Sequence, residues 1–148
     1  MLSQKAKYAI RALLLLADEN DGGPLLISHI AEEGRIPKKF LEQILLSLKN
    51  KGILHSRKGR GGGYSLGRPP EKISLGEVIR VLDGPLAPLP CVSQTAYRKC
   101  DDCPDENTCG IRIVMRQVRE ETARILDGTS LVNVLASSRR VKRRKGRR

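Results

Sequence analysis

The stretch from Pro37 to Leu66 restricts the fold more than any other part of the chain. Leu41, Ile44, Leu45 and Leu48 recur at helical spacing, which predicts a helix with one apolar stripe. Pro37 suits the first helical position, where its missing N–H would have no partner anyway, and the helix is expected to reach Lys51. Lys38, Lys39, Glu42, Gln43 and Ser47 are left on the other faces. Upstream, ISHIAEE at Ile27–Glu33 predicts a shorter helix, with Ser28 or a neighbour near its cap and Gly34 closing it. Downstream, Ile53–Ser56 and Tyr64–Leu66 flank Arg57-Lys58-Gly59-Arg60-Gly61-Gly62-Gly63, the pattern of a hairpin around a triply basic tip. A helix pair across a tight turn is the helix-turn-helix that reads a major groove. A cationic hairpin directly after it is a wing, whose Lys and Arg reach phosphates or a minor groove. Taken singly, GRGGGY also reads as a plain turn and Lys38-Lys39 as a solvated helix start; their succession favours DNA.

The remaining chain extends this plan. With no Trp, a single Phe and 39% hydrophobic residues, the core must be aliphatic, which suits small packed helices better than a large sheet. Ser3-Gln4-Lys5-Ala6 opens a helix to about Glu19, with Tyr8, Ala9, Ala12, Leu13 and Leu16 on its apolar stripe. Asn20-Asp21-Gly22-Gly23-Pro24 ends it by turn chemistry. After a break at Arg68-Pro69-Pro70, LGEVIRVL over Leu75–Leu82 predicts another helix, stopped by Asp83-Gly84-Pro85. Ile111, Val114, Met115, Val118, Thr122 and Ile125 form a narrow, heptad-like seam that runs to Asp127-Gly128. Such a seam can pack on its own domain, but at this length it more often finds a symmetry mate, so a homodimer is expected. Thr129–Ala136 reads as a short closing helix, and the tail from Arg139 has the composition of a disordered segment. The expected fold class is mainly α with a small β-hairpin wing. A winged helix-turn-helix domain spans residues 1–84, a cysteine-rich loop 85–110, a dimerisation helix and closing helix 111–136, and a basic tail 137–148.

The net charge of +12 is unevenly distributed. Residues 139–148 supply +8, residues 1–68 supply +6 and residues 69–138 carry −2. The cationic surface therefore belongs to the DNA-reading half and the tail, not to the cysteine segment. No apolar run reaches the roughly 18 residues of a membrane span. Lys5, Lys7 and Arg11 interrupt the apolar residues a signal peptide would need. A cytoplasmic protein without a membrane partner is expected. No His–carboxylate constellation is evident, and GRGGGY lacks the Lys-Ser/Thr of a P-loop, so an enzyme is not expected.

All four cysteines lie in PCVSQTAYRKCDDCPDENTCG, as Cys91, Cys100, Cys103 and Cys109. In a reducing compartment such a concentration points to metal or redox chemistry. Structural zinc usually takes two knuckle pairs, and only Cys100 and Cys103 form one. Iron–sulfur clusters take thiolates from irregular loops with uneven spacing. Asp101, Asp102, Asp105 and Glu106 would discourage a further anionic centre, so spacing alone leaves iron and zinc both open. His29 and His55 lie in the DNA-reading half, so an all-cysteine site, or three Cys plus a non-His group, is expected.

From Met1 to about Ala136 the chain resembles the Rrf2 family of bacterial winged-helix regulators, which includes IscR-like and NsrR-like iron–sulfur sensors. The resemblance is carried by KAKYAIRALLLLA at Lys5, FLEQILLSLKNKGIL at Phe40, RGGGYSLGRPPEKISLGEVIRVLDGPL at Arg60, and Cys103-x5-Cys109 ahead of a long helix. It implies a homodimer crossed through the long helix, with two recognition helices in successive major grooves of an operator duplex. By match to the family motif, Gln43 and Lys39 are base or phosphate contacts; Lys38 at the helix start and Arg57, Lys58 and Arg60 of the wing are expected DNA contacts from the charge of the residues themselves. Family members often carry Arg where Lys58 stands and Pro where Arg60 stands, and Lys and Arg are not interchangeable at such sites. The family's sensors use three cysteines, which Cys91, Cys103 and Cys109 match. Cys100 is extra, and the loop before it is longer. The resemblance thus implies a two-iron or four-iron cluster that modulates DNA affinity, with Cys100 a fourth ligand or a bystander. Structural zinc or a thiol switch is the alternative, and a basic RNA-associated protein is a further one.

Overall fold

The computed structural model describes residues 2–19 and 23–146. Helix α1 (Gln4–Asp18) starts at Ser3, whose hydroxyl accepts the Ala6 N–H at 3.0 Å, an N-cap that satisfies an otherwise orphan donor. The expected end at Glu19 is one residue long, and residues 20–22 of the anticipated turn lie outside the described residues.

Helix α2 (Ile27–Gly34) begins after Leu26 with no side-chain cap, so Ser28 lies inside the helix rather than at its boundary. The left-handed residue after it is Arg35, at φ 50°. Arg35 and Ile36 donate their N–H groups to the carbonyls of Glu32 and Ala31 at 3.1 and 2.9 Å, which closes the helix end. Helix α3 (Lys38–Asn50) uses Pro37 as its N-cap, not as its first helical residue. The Pro37 carbonyl accepts from Phe40 and Leu41 at 3.0 and 3.1 Å.

The wing is an antiparallel pair, β1 (Leu54–Arg57) and β2 (Gly63–Leu66), in the register Leu54 opposite Leu66 and Arg57 opposite Gly63. Arg57 therefore ends a strand, and Lys58 to Gly62 form the tip. Gly63 sits at φ 136° with a carbonyl so close that a Cβ would lie 2.3 Å from the oxygen of Leu25. That crowding comes from a backbone bridge, Leu25 to Tyr64, with both N–H···O bonds at 2.8 Å. A third strand-like segment thus braces the base of the wing.

After a 3-10 turn at Pro70–Lys72, helix α4 (Leu75–Asp83) is capped by the Ser74 hydroxyl. Ala9, Ala12, Leu13, Ile30, Leu41, Ile44, Leu45, Leu48, Ile53, Ile73, Val78 and Leu131 join in one fully buried aliphatic cluster. The apolar stripes anticipated for α1 and α3 line this core, with Tyr8 half-buried at its edge.

Helix α5 (Gly110–Asp127) follows the cysteine loop and packs on α4. Gly76 permits this approach, since a Cβ there would stand 1.9 Å from Asp127 Oδ1. Arg80 holds the same carboxylate through two bonds of 2.6 and 2.9 Å.

The C-terminus departs from the sequence reading. Instead of a short helix from Thr129 to Ala136 and a disordered tail, one helix, α6, runs Leu131–Lys145. It packs on α1, and Leu131 is fully buried. Ser130 and Asn133 form a reciprocal capping box, so the helix is nucleated where it docks and extension needs no new nucleus. Arg and Lys are good helix formers, and Lys142, Arg143, Arg144 and Lys145 occupy the last turn, where cations favour the negative end of the helix dipole. Composition read the charge correctly and missed this support. Arg147 and Arg148 lie outside the described residues.

Candidate DNA-binding surface and thiol site

The buried stripe of α3 turns Lys38, Lys39, Glu42 and Gln43 to solvent, as the periodicity requires. Ser47 behaves differently. It is half-buried, and its hydroxyl donates to the Gln43 carbonyl at 2.9 Å. Phe40 and Leu46 are also exposed, at 52% and 55%, so the outer face mixes polar and apolar groups. Arg57, Lys58 and Arg60 are exposed on the wing and make no ion pair among the described residues.

Contacts from α1 reach both helices of this surface. Arg11 of α1 donates to the Gly34 carbonyl at 3.1 Å, capping the end of α2. Its guanidinium lies 5.7 Å from the centre of the Tyr8 ring, and Tyr8 meets Phe40 of α3 with ring centres 6.4 Å apart. One α1 face thus grips both halves of the helix-turn-helix. A lone Arg on a helix surface gives no sequence signal for such a role.

The four thiols come from different local structures. Cys91 is buried in a 3-10 turn at Pro90–Val92, Cys100 and Cys103 are half-buried in the loop, and Cys109 is the N-cap of α5. All four line one cavity of about 450 Å³, together with Leu89, Ile111 and Arg112. A hydrogen bond to Cys91 and partial desolvation hold the Cys100 thiol above its ordinary pKa. Among the described residues, no group of three Cys, His, Asp or Glu side chains is drawn together tightly enough to hold a single metal ion. Asp102, Asp105 and Glu106 also line the cavity, and the Arg112 guanidinium is paired with the Glu106 carboxylate at 3.6 Å.

Arg112 was absent from the expected site. It donates through Nε to the Cys91 carbonyl at 3.3 Å and through a terminal nitrogen to the Glu106 carbonyl at 3.4 Å. Glu106 in turn accepts the Tyr97 hydroxyl at 2.6 Å, which raises the tyrosine pKa. These bonds tie both ends of the loop to α5. Three residues after Cys109, Arg112 falls one turn along the helix and faces the same cavity, a relation visible only once the helix start is known.

The seam residues divide. Ile111, Val114, Val118 and Ile125 are 66%, 52%, 44% and 55% exposed. Met115 and Thr122 are half-buried, aligned with Arg112, Arg119 and Leu126 on the side facing the body.

A helix-turn-helix with a cationic wing, followed by a helix with an uncovered apolar face, defines the winged-helix class of DNA-binding regulators. Comparison with known proteins is specific. Residues 2–137 match the Rrf2 family, described as an iron-dependent transcriptional regulator, and the chain belongs to that family. It is 46% identical over 140 residues to an rrf2-like HTH-type transcriptional regulator of Rhodobacter capsulatus, covering 93% of each chain. Among solved structures it resembles CymR, the global cysteine regulator of B. subtilis, with a TM-score of 0.76 and 29% identity over 93% of this chain and 97% of that one. It is similar to T. potens IscR with a TM-score of 0.74 and 27% identity, covering 93% and 88%. This protein is therefore a transcriptional regulator that acts through DNA, and its relatives are regulators rather than enzymes. No described helix is long and apolar enough to cross a membrane.

Proposed function

We propose that this regulator binds double-stranded operator DNA as a homodimer, and that an iron–sulfur cluster at Cys91, Cys103 and Cys109, with Cys100 beside them, sets its affinity. The observation that carries the reading is the meeting of all four thiols around one cavity at the start of α5. When bound, the cluster would supply an oxidation- and loss-sensitive bond between loop and helix. The chain's own residues account for the rest. Cys109 begins α5, Cys91 holds the far end of the loop, and Arg112 joins the two through the Cys91 carbonyl. Arg80 and Asp127 fasten the other end of α5 to α4, which belongs to the DNA-binding domain. Ordering the loop thus biases the placement of α5, and through a dimer seam at the exposed Ile111, Val114, Val118 and Ile125 it biases the spacing of the two α3 helices. Gln43, Lys39 and Lys38 on α3 and Arg57, Lys58 and Arg60 on the wing are the proposed DNA contacts.

Anaerobic purification with a visible spectrum and parallel iron, sulfide and zinc analysis is the test. Coloured protein with matched iron and sulfide, lost in Cys91→Ala or Cys109→Ala, supports the reading. Colourless protein with one zinc per chain replaces the cluster with a structural metal and leaves the DNA-binding half intact. If Cys109→Ala bound DNA identically before and after cluster loading, the coupling would be wrong.

A further inference from the structure

The family match ends at residue 137, and the most cationic surface of the chain begins just beyond it. We propose that the basic end of α6, Arg139–Lys145, is a second phosphate-binding surface that holds DNA outside the sequence read by α3 and the wing. The inference rests on the DNA-binding reading and extends it to a surface the helix-turn-helix does not include.

Six of the seven residues from Arg139 to Lys145 are Arg or Lys, and none is acidic. All are exposed, and among the described residues only Arg139 has an ion-pair partner, Asp18 at the end of α1. That pair matters more for placement than for stability, because exposed ion pairs contribute little. It pins the base of the cationic segment against α1. From Asp18 the chain continues to Leu25, which bridges to Tyr64 on the wing. The segment is therefore anchored to the same domain that carries the wing.

Its helical form gives the charges a fixed geometry. Arg139, Arg140, Arg143 and Arg144 line one groove with Ala136. Four residues of helix rise about 6 Å, or about two base-pair steps along a strand. Guanidinium groups at that interval match phosphates about two steps apart on one strand, and Arg engages phosphate through paired donors. A disordered tail would have to be ordered on binding at an entropic cost; this helix is already formed. Duplex DNA fits better than a lipid surface, since the only large apolar side chain in the segment is Val141 and an interfacial helix needs a broad apolar face.

The test uses the full chain on random-sequence duplexes of about 15 and about 40 bp, titrated with salt, because counterion release makes the slope count phosphate contacts at about 0.9 each. Arg140→Gln/Arg143→Gln/Arg144→Gln preserves helix propensity, and circular dichroism checks that the fold is retained. Lys58→Gln/Arg60→Gln serves as the wing control. The expected result is a roughly tenfold or greater loss by the triple variant on the long duplex, a slope smaller by about 2 to 3, and a much smaller loss on the short one. Unchanged affinity and slope in the triple variant, with losses in the wing control, would overturn the proposal while leaving DNA binding by the wing in place. Absence of binding by the unaltered protein would overturn both. A triple variant that lost adsorption to phosphatidylserine vesicles but kept its DNA affinity would assign the surface to membranes instead.

Discussion

Helices α3 and α5 carry similar apolar spacing and meet opposite fates. In α3, Leu41, Ile44, Leu45 and Leu48 are completely buried. In α5 no residue is buried, and Ile111, Val114, Val118 and Ile125 stay largely in solvent. The difference lies in the neighbours. Helix α3 is enclosed by α1, α2, α4 and β1, whereas α5 touches α4 and the turn that holds Cys91. Each Å² of apolar surface left in water forgoes about 25 cal/mol, and a contiguous patch of this kind marks an interaction surface. One helix completes a core within the chain; the other leaves its apolar face uncovered.

The largest effect should come from the enclosed helix. Leu45→Ala removes a fully buried side chain and should cost about 2–5 kcal/mol, read from the urea midpoint. Val118→Asp should do the reverse, leaving that midpoint nearly unchanged while sedimentation shows monomers in place of dimers. If Val118→Asp unfolded the chain, or left its mass unchanged, the contrast between the helices would fail. Gln43→Ala should sharpen it from the solvent side of α3. A lost base contact is worth about 1–3 kcal/mol, so operator affinity should fall about 5- to 150-fold with no change in stability.

Two smaller effects probe how α4 joins the regions. Ser74→Ala removes the cap of α4 and should destabilise the protein by about 1 kcal/mol. The Arg80–Asp127 pair should show itself in pH dependence. The hydrogen bonds from Arg80 hold the Asp127 carboxyl below its ordinary pKa, so its contribution is present above the unfolded value of about 4 and is lost as pH falls through the lowered folded value. Unfolding of the unaltered protein between neutral pH and about pH 3 should show a small extra loss that Asp127→Asn lacks. Because the pair is half-exposed, that difference should stay below about 1 kcal/mol.

Much of the fold is legible in the sequence. The stripes of α1 and α3, the wing and the approximate bounds of α4 and α5 followed from periodicity and turn residues. Boundaries slipped where backbone geometry overrode residue preference. Pro37 caps α3 from outside, and Arg35 rather than a glycine takes the left-handed turn. The thiols were visible as a set, but their common cavity was not, because Cys91 and Cys109 are separated by a loop whose path no local rule specifies. Arg112, Tyr97 and Glu106, which shape that loop, carry no motif.

Local patterns depend on contacts a few residues apart, and these are written in the order of the amino acids. Apolar spacing, glycine runs, clustered thiols and the sign of each segment's charge were therefore present in the chain as read. Long-range docking is not written there. Whether an apolar stripe is covered, as on α3, or left open, as on α5, depends on which elements reach it. The C-terminus gives the same lesson in reverse. Composition marked residues 139–148 as a disordered basic tail, but docking of Leu131 and the Ser130–Asn133 cap supply a nucleus. From that nucleus the arginines extend as a helix through Lys145, since helix growth is easy once its first turn is held in place.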